Sequence, residues 1–190
     1  MEPITLTTPR LTLRPVGPED SDAVLAACQD PAIQRWTTVP APYLREHAEG
    51  FTGSYGPDGW RDDSAFTFSV LDTASGALVA MTGVMRRGER SAELGFWTVA
   101  EHRGNGFMTE AARAVSRWAL ESAGIERLEW RAEVGNTASR AVALKAGFTL
   151  EGTLRSALVH RDVRRDAWVG SLLPSDLGLP SPAPYLAAPA

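Results

Sequence analysis

The chain has 190 residues, the size of one domain, and its 44% hydrophobic residues are enough for a substantial core. It carries 19 basic and 23 acidic side chains, a net charge of −4, and no run of Lys or Arg, which argues against nucleic-acid binding. A single cysteine, Cys28, excludes an internal disulfide and fits a reducing cytoplasm. Because there is neither an apolar stretch of membrane-spanning length nor a signal peptide at Met1, we expect a soluble intracellular protein without membrane contact.

The first third of the chain combines short elements with irregular segments. Residues 11–15 alternate and end at a proline, which predicts a strand near a sheet edge, and residues 20–22 offer N-capping oxygens for a following helix. Helical spacing breaks down in the segment 31–42, which predicts a loop. A helical candidate at 44–54 is then followed by a Gly/Asp-rich stretch to Asp63 that also predicts a loop.

The remaining two thirds alternate between strand and helix patterns, so that the full order is β-α-α-β-β-β-α-β-α-β-β. The predicted strands are 66–71, 78–84, 92–99, 128–134, 148–158 and 167–172, and the predicted helices are 111–124 and 136–146. We therefore expect one domain over residues 1–173. Residues 174–190 consist mainly of Pro, Ser, Ala and Leu, which predicts a flexible C-terminal tail.

A Gly-rich turn between a predicted strand and a predicted helix is the most informative segment. Gly104 and Gly106 let successive N–H groups face one concavity, and the following helix adds its positive dipole end, an arrangement that can hold phosphate oxygens. The alternative is a plain strand-to-helix turn in which glycine only meets the backbone geometry. The Walker pattern lacks its Gly-Lys-Ser/Thr, and Thr109 stands where a dinucleotide fingerprint needs glycine, which excludes nucleotide hydrolysis and Rossmann redox chemistry.

The stretch Arg103-Gly104-Asn105-Gly106-Phe107-Met108 resembles the acetyl-CoA binding motif of the GNAT N-acetyltransferases, Arg/Gln-x-x-Gly-x-Gly/Ala, with Met108 departing at the last place. Its continuation, Thr109-Glu110-Ala111, is similar to the RimJ/RimL branch, which acetylates protein N-terminal amines and includes many small-molecule acetyltransferases. Further segments match this branch in its order: 8–14, 92–97, 136–139 and 145–155. The resemblance spans about residues 8 to 173.

The resemblance implies an α/β (α+β) GNAT fold, in which helices flank a mixed, mostly antiparallel sheet. The strand carrying Glu93 would splay from the strand at 128–134, and acetyl-CoA would bind between them. Its pantetheine arm would pair with the backbone of 95–98, and residues 103–108 would wrap the pyrophosphate. The implied cofactor-binding residues are Phe96, Trp97, Thr98, Arg103, Gly104, Asn105, Gly106, Phe107, Met108, Thr109, Asn136 and Ser139.

Two residues are candidates for the acceptor site. Strand alternation places Glu93 on one face with Gly95, Trp97 and Val99. A carboxylate among such apolar neighbours needs either a bonding partner or a functional role. A half-exposed structural glutamate is the alternative; the resemblance places Glu93 near the incoming amine, as a general base. Trp36 lies where this family builds its acceptor wall, and its indole either lines an apolar slot or anchors a loop.

Ser139 is the second catalytic candidate. Asn136 followed by Ser139 is a credible helix N-cap that needs no further explanation. By resemblance, Asn136 hydrogen-bonds the pantetheine arm and Ser139 brings a hydroxyl near the thioester sulfur. The tyrosine acid of many GNAT enzymes is replaced by Ala143, so the thiolate would be protonated by Ser139, by water, or after its departure.

Together these features predict an acetyl-CoA-dependent N-acetyltransferase in which a primary amine attacks directly. A protein α-amine, with a pKa of about 7.7 to 8.0, suits a water-relayed base better than a lysine amine at about 10.4, which favours a protein N-terminus as in ribosomal-protein-alanine acetyltransferases. The alternatives are a small amine, such as an antibiotic, amino acid or polyamine, and a non-catalytic acyl-CoA-binding module. No metal is expected because the three histidines do not cluster, and a homodimer is compatible with the sequence.

Overall fold

The structure, a computed structural model, describes residues 1–181 and 183–188. One sheet contains eight strands in the order β1-β2-β3-β4-β5-β6-β8-β7. The strands are Leu6–Thr7 (β1), Leu11–Pro15 (β2), Ala65–Asp72 (β3), Leu78–Arg86 (β4), Ser91–Thr98 (β5), Arg127–Glu133 (β6), Thr149–His160 (β7) and Val163–Leu172 (β8). Neighbouring strands are antiparallel except β5 and β6, which are parallel. The predicted mixed, mostly antiparallel sheet is thus confirmed.

Helices cover both faces of this sheet. They are Ser21–Ala27 (α1), Pro31–Trp36 (α2), Arg45–Gly50 (α3), Gly56–Asp62 (α4), Phe107–Ser122 (α5) and Thr137–Ala146 (α6), with a π-helical segment at Phe51–Tyr55 between α3 and α4. α5 and α6 pack into the larger apolar cluster, and α1 to α3 pack into a smaller one. Trp118 of α5 is buried against Trp60, Phe66 and Phe68.

A buried ion pair fixes the first helices to the sheet. The Asp20 side chain, 5% exposed, accepts hydrogen bonds from Arg14 of β2 at 2.7 and 2.9 Å and from the Ser69 hydroxyl of β3 at 2.6 Å. Because a buried carboxylate needs such partners, the start of α1 is held at one place over β2 and β3.

The segment between residues 31 and 63 corrects two predictions. Residues 31–36 form α2, whose N-terminus is capped by the Asp30 carboxylate at 2.9 Å from the Ala32 N–H. The predicted Gly/Asp-rich loop is the end of a helical run that reaches Asp62. Its glycines permit close packing: a Cβ would lie 2.2 Å from Val16 Cγ1 at Gly56 and 2.6 Å from a backbone oxygen at Gly59. The composition predicted a loop because these glycines are also typical of loops, whereas here they let the helix pack closely against its neighbours.

Three element boundaries also differ from the predictions. The two-residue β1 was not predicted, because it is too short to show alternation. α5 begins at Phe107, directly after Gly106, rather than at Ala111. The last hairpin is longer than predicted, because β7 runs to His160 and β8 starts at Val163.

The segment predicted as a flexible tail starts as packed structure. Pro174 is buried, a 3-10 turn spans Pro174–Leu177, and the Leu179 N–H donates to the Pro174 carbonyl at 2.9 Å. Leu177 and Leu179 contact the larger apolar cluster. The packed part of the domain therefore extends to Leu179 instead of ending at residue 173. A tail after it stays a prediction; residues 182, 189 and 190, on which it partly falls, lie outside the described residues.

Two truncations distinguish the packed part of this segment from the rest. A chain ending at Leu173 should lose about 1–3 kcal/mol of unfolding free energy, because the contacts of two leucines are removed. A chain ending at Pro180 should unfold within about 1 °C of the full chain, because both leucines remain. Thermal denaturation followed by circular dichroism measures both, and equal midpoints for the two truncations would show that the leucines contribute nothing.

Candidate functional site

A cleft opens where β5 and β6 separate. The two strands pair over only three positions, the last being Glu93 with Glu129, although β5 continues to Thr98 and β6 to Glu133. The cleft between their diverging ends has a volume of about 1000 Å³. With the exception of Asn105, it is lined by every residue predicted for the site: Trp36, Glu93, Phe96, Trp97, Thr98, Arg103, Gly104, Gly106, Phe107, Met108, Thr109, Asn136 and Ser139.

The backbone of β5 faces this cleft with groups that have no strand partner in the part of the chain that the structure describes. In an antiparallel pair, every second residue directs its N–H and C=O to the same neighbouring strand. Val99, directly after β5, donates to the Val79 carbonyl of β4 at 3.0 Å, so Phe96 and Thr98 direct their backbone groups the other way, toward the side from which β6 diverges. An extended ligand with amide groups can pair there as an added strand.

The predicted Gly-rich turn closes one end of the cleft. Gly104 and Gly106 both have φ of +79°, a left-handed conformation that favours glycine. A Cβ at Gly104 would meet nothing within 4 Å, so glycine serves the conformation and not the space. α5 begins at Phe107, and its unpaired N–H groups and positive dipole end lie at the turn. The turn therefore has the geometry of an anion-binding site.

The side chain of Arg103 fastens this turn. Its Nε donates to the Thr98 carbonyl at 3.2 Å, and its guanidinium forms an ion pair with Asp30, the residue that caps α2. Asn105, which does not line the cleft, accepts a hydrogen bond on its carbonyl from Arg10 at 3.0 Å. The Asn105 side chain donates through Nδ2 to the His102 carbonyl at 3.3 Å. The side chains of Arg103 and Asn105 are thus engaged with protein groups, which leaves the N–H groups of the turn as its anion donors.

Residues 8–10, near the N-terminus, contact the same turn and the first residues of α5. Arg10 lies 4.8 Å from the ring centre of Phe107 and donates to Glu110 at 2.7 Å, and Thr8 donates to the same carboxylate at 2.6 Å. Burial alone would raise the pKa of Glu110, but these hydrogen bonds hold it below its usual value. The residues 8–10 and 109–111, two matches of the family resemblance, are therefore in direct contact and stiffen the start of α5.

Glu93 lies at the point where the strands separate. Its side chain is 18% exposed and accepts a hydrogen bond from Arg87 Nε at 3.2 Å, which supplies the partner that the sequence pattern demanded. Trp97, on the same face of β5, packs into the cluster beneath α1 to α3. Glu93 therefore faces the helical layer, on the side of the cleft opposite α5.

Ser139 is oriented by two hydrogen bonds. Its N–H donates to the Asn136 carboxamide oxygen at 3.2 Å, the N-cap bond of α6, and its hydroxyl oxygen accepts from the Trp130 indole N–H at 3.0 Å. Because the indole can only donate, the hydroxyl proton remains available toward the cleft. The N-cap bond uses only the carboxamide oxygen of Asn136 and leaves the NH₂ group of that side chain unused. The N-cap interpretation is confirmed, and contact of these residues with the donor stays a prediction that the cap leaves possible.

Trp36 and an aromatic helix face form the outer wall of the cleft. Arg35 stacks on the Trp36 ring at 4.1 Å and binds both oxygens of Glu133 at 2.7 and 2.9 Å, which holds the pKa of Glu133 below its usual value. The face consists of His47, Phe51 and Tyr55, with the last two rings stacked 5.7 Å apart. Sequence analysis missed it, although the spacing of four residues places these side chains on one side of a helix.

Two further kinds of site are absent from the described residues, a metal-binding cluster and a membrane-spanning helix. Within residues 1–181 and 183–188, no three His, Cys, Asp or Glu side chains form a group that could hold a metal ion. No helix in the same residues has both the length and the apolarity to cross a bilayer.

Comparison with known sequences matches the chain to one domain model and several relatives. The model, an acetyltransferase (GNAT) domain, covers residues 10–149. The putative ribosomal N-acetyltransferase YdaF of Bacillus subtilis is 38% identical over 84 residues, 44% of this chain and 46% of that protein. The ribosomal-protein-serine acetyltransferase of Escherichia coli is 34% identical over 77 residues, 40% of this chain and 43% of that protein. The chain thus spans less than half the length of these two relatives. The uncharacterized N-acetyltransferase YoaA of B. subtilis is 25% identical over 88% of this chain and 96% of its own length.

Solved structures share the fold at low sequence identity. RimJ of Mycobacterium smegmatis, in complex with a CoA-disulfide, superimposes with a TM-score of 0.84 at 22% identity, covering 94% of this chain and 92% of that one. RimL in complex with coenzyme A gives a TM-score of 0.80 at 19% identity, covering 90% and 98%. At these identities the likeness concerns the fold alone, and it extends over β7 and β8, which lie beyond the matched domain model.

Proposed function

We propose that this chain, which belongs to the GNAT acetyltransferase family, transfers the acetyl group of acetyl-CoA to a primary amine, in particular to the α-amine of a protein N-terminus. The observation that carries the proposal is the unpaired backbone of β5 beside the left-handed glycines of the turn. Strand-like pairing suits the amide groups of a pantetheine arm, and the N–H groups at the start of α5 suit a pyrophosphate. The residues present therefore fit the donor.

The chain's own residues then have distinct tasks. Acetyl-CoA supplies the acetyl group as a thioester. Phe96 and Thr98 would orient the pantetheine arm through their backbone, residues 103–108 would bind the pyrophosphate, and Asn136 would donate its NH₂ to the arm. Glu93 would take the proton of the amine through a water molecule, and Ser139, with its oxygen held by Trp130, would donate its proton toward the sulfur.

The preference for an α-amine follows from proton affinity. A lysine amine must be deprotonated from a pKa about 2.5 units higher than that of an α-amine, which costs roughly 3.4 kcal/mol more. Glu93 forms an ion pair with Arg87 and offers a modest base, which suits the more acidic amine. The names of YdaF and of the E. coli relative refer to ribosomal acetylation, which supports a protein acceptor. The proposal places this reaction in the cytoplasm, as the sequence analysis expects.

A thiol-release screen tests the function. The protein is mixed with acetyl-CoA and, in separate wells, with N-terminal peptides, lysine peptides blocked at the α-amine, and small amines including amino acids and polyamines. Free thiol should appear fastest with a peptide α-amine. Release with small amines alone would assign a small-molecule acetyltransferase, and binding of CoA without release for any amine would leave only an acyl-CoA-binding module.

Gly106→Val should weaken CoA binding at least tenfold, because a β-branched residue cannot hold a φ of +79° at the start of α5 without strain and would reshape the N–H concavity. Gly124→Val is the matched control, since Gly124 has a φ of +70° but lies outside the cleft lining. Calorimetric titration with CoA measures both variants. Equal affinity in the two folded variants would contradict the proposed role of the turn.

Glu93→Gln should lower kcat by about 10² to 10⁴ with little change in acetyl-CoA affinity, because it removes a general base and leaves the donor contacts intact. The deficit should shrink as pH rises, since a larger fraction of the amine is then already neutral. Glu126→Gln is the matched control: Glu126 is 17% exposed and pairs with Arg90, as Glu93 is 18% exposed and pairs with Arg87, but it lies outside the cleft lining. A Glu93→Gln enzyme with unchanged kcat at every pH would exclude the base.

A further inference from the structure

Arg87 stands out among the arginines of the cleft because half of its guanidinium is free. Its Nε donates to Glu93 Oε2 at 3.2 Å. Its two terminal nitrogens make no hydrogen bond to any residue within 1–181 and 183–188, and the side chain is 56% exposed. A guanidinium has five donors in a planar fork, so the edge formed by the terminal nitrogens can still bind a second carboxylate with two parallel hydrogen bonds.

Each of the other cleft arginines has at least one terminal nitrogen bound to a carboxylate. Arg35 binds both oxygens of Glu133, and Arg131 donates Nε and a terminal nitrogen to Glu129 at 3.2 and 2.8 Å. Arg103 is held by Thr98 and Asp30. Arg87 is therefore the cleft arginine, among the described residues, whose two terminal nitrogens are both free, and it lies beside Glu93, the carboxylate that faces the acceptor side.

We infer that Arg87 selects acceptors whose amine is accompanied by a carboxylate, namely peptide N-termini with an acidic first or second side chain. This inference rests on the proposed function, because it assigns the amine to Glu93. The carboxylate would bind the terminal nitrogens of Arg87 on the side away from Glu93.

The spacing of the two groups restricts the acceptor further. Two hydrogen bonds of ordinary length on either side of the guanidinium place the acceptor carboxylate about 5 to 8 Å from the Glu93 carboxylate, to which the amine is connected through a water molecule. The α-carboxylate of a free amino acid stays next to its own amine. The side chain of a first-residue Glu or a second-residue Asp extends away from the amine, toward the far edge of the guanidinium.

Binding of the carboxylate also helps the amine to lose its proton. A nearby anion stabilises the ammonium form and raises the pKa of the amine, whereas a guanidinium that pairs with the anion cancels this effect. Arg87 would therefore make an acidic N-terminus as readily deprotonated as a neutral one.

The test compares two amidated tripeptides, Ser-Asp-Phe-NH₂ and Ser-Asn-Phe-NH₂, at saturating acetyl-CoA. The wild-type enzyme should prefer the acidic peptide in kcat/KM by about tenfold, the contribution typical of a charged hydrogen-bonded pair. In Arg87→Gln the ratio of the two peptides should fall to about one. Because both peptides report on the same variant, a general loss of rate cancels in this ratio.

Arg90→Gln is the matched control, since Arg90 is 54% exposed, pairs with Glu126 and lies outside the cleft lining. It should keep the wild-type ratio. Free glutamate and glutamine form a second pair of acceptors, which separates a small acidic amine from a peptide as the source of the carboxylate.

The outcomes separate the inference from the function. Turnover with equal kcat/KM for both peptides, or a preference that survives in Arg87→Gln, would overturn the role of Arg87 and leave the acetyltransferase intact. Loss of thiol release with every amine would contradict the function itself. Equilibrium binding of the two peptides in the presence of CoA tests the recognition in that case too, and equal affinities would overturn it.

Discussion

The cleft depends on the part of the β5 backbone that has no neighbouring strand on the β6 side. Buried N–H and C=O groups are almost always paired, and a strand in the interior of a sheet normally pairs on both sides. β5 pairs fully with β4 but with β6 over three positions only. The Thr98 carbonyl accepts a hydrogen bond from Arg103 Nε. The Thr98 N–H and the backbone groups of Phe96 need another partner, either water or an extended ligand. This unsatisfied edge inside the sheet explains why a ligand can be recognised there largely through main-chain geometry.

The two sides of this cleft must be held apart. Contacts from several surrounding elements converge on α2. Asp30 at its start pairs with Arg103 of the Gly-rich turn, and Arg35 near its end pairs with Glu133 of β6. Arg161, beyond the end of β7, donates to the Gln34 carbonyl of the same helix at 3.0 Å. A six-residue helix thus connects the turn, the diverging strand and the last hairpin. Single exposed ion pairs contribute little stability, but three contacts to one short element fix its position.

The sequence predicted the sheet and the Gly-rich turn because each is a local pattern, whereas most candidate site residues were implied by the family resemblance. Alternation predicted β5, and Gly104 and Gly106 predicted the tight turn in which both adopt a left-handed conformation. The helical candidate at 44–54 is confirmed, but the predicted loops at 31–36 and 56–62 are helical. In the second of these, Gly56 and Gly59 serve close packing, which composition cannot distinguish from a loop. The length of the β5–β6 pairing is not a local property, because it depends on where strands distant in sequence meet. The pairing of Arg87 with Glu93 is local to the β4–β5 hairpin, but it depends on side-chain conformations that alternation does not predict.

This arrangement divides recognition between two kinds of groups. Under the proposed function, the donor side relies on the main chain of β5 and of the turn, whose geometry is set by glycine conformation and hydrogen-bond alternation. The acceptor side relies on the side chains of Trp36, the aromatic helix face and the Arg87–Glu93 pair. β5 carries groups of both sides, and α2, which carries Trp36, is tied to the turn through the pair of Asp30 with Arg103. The aromatic helix face belongs to the acceptor side alone, so substitutions there are the ones expected to change the acceptor without disturbing the donor site.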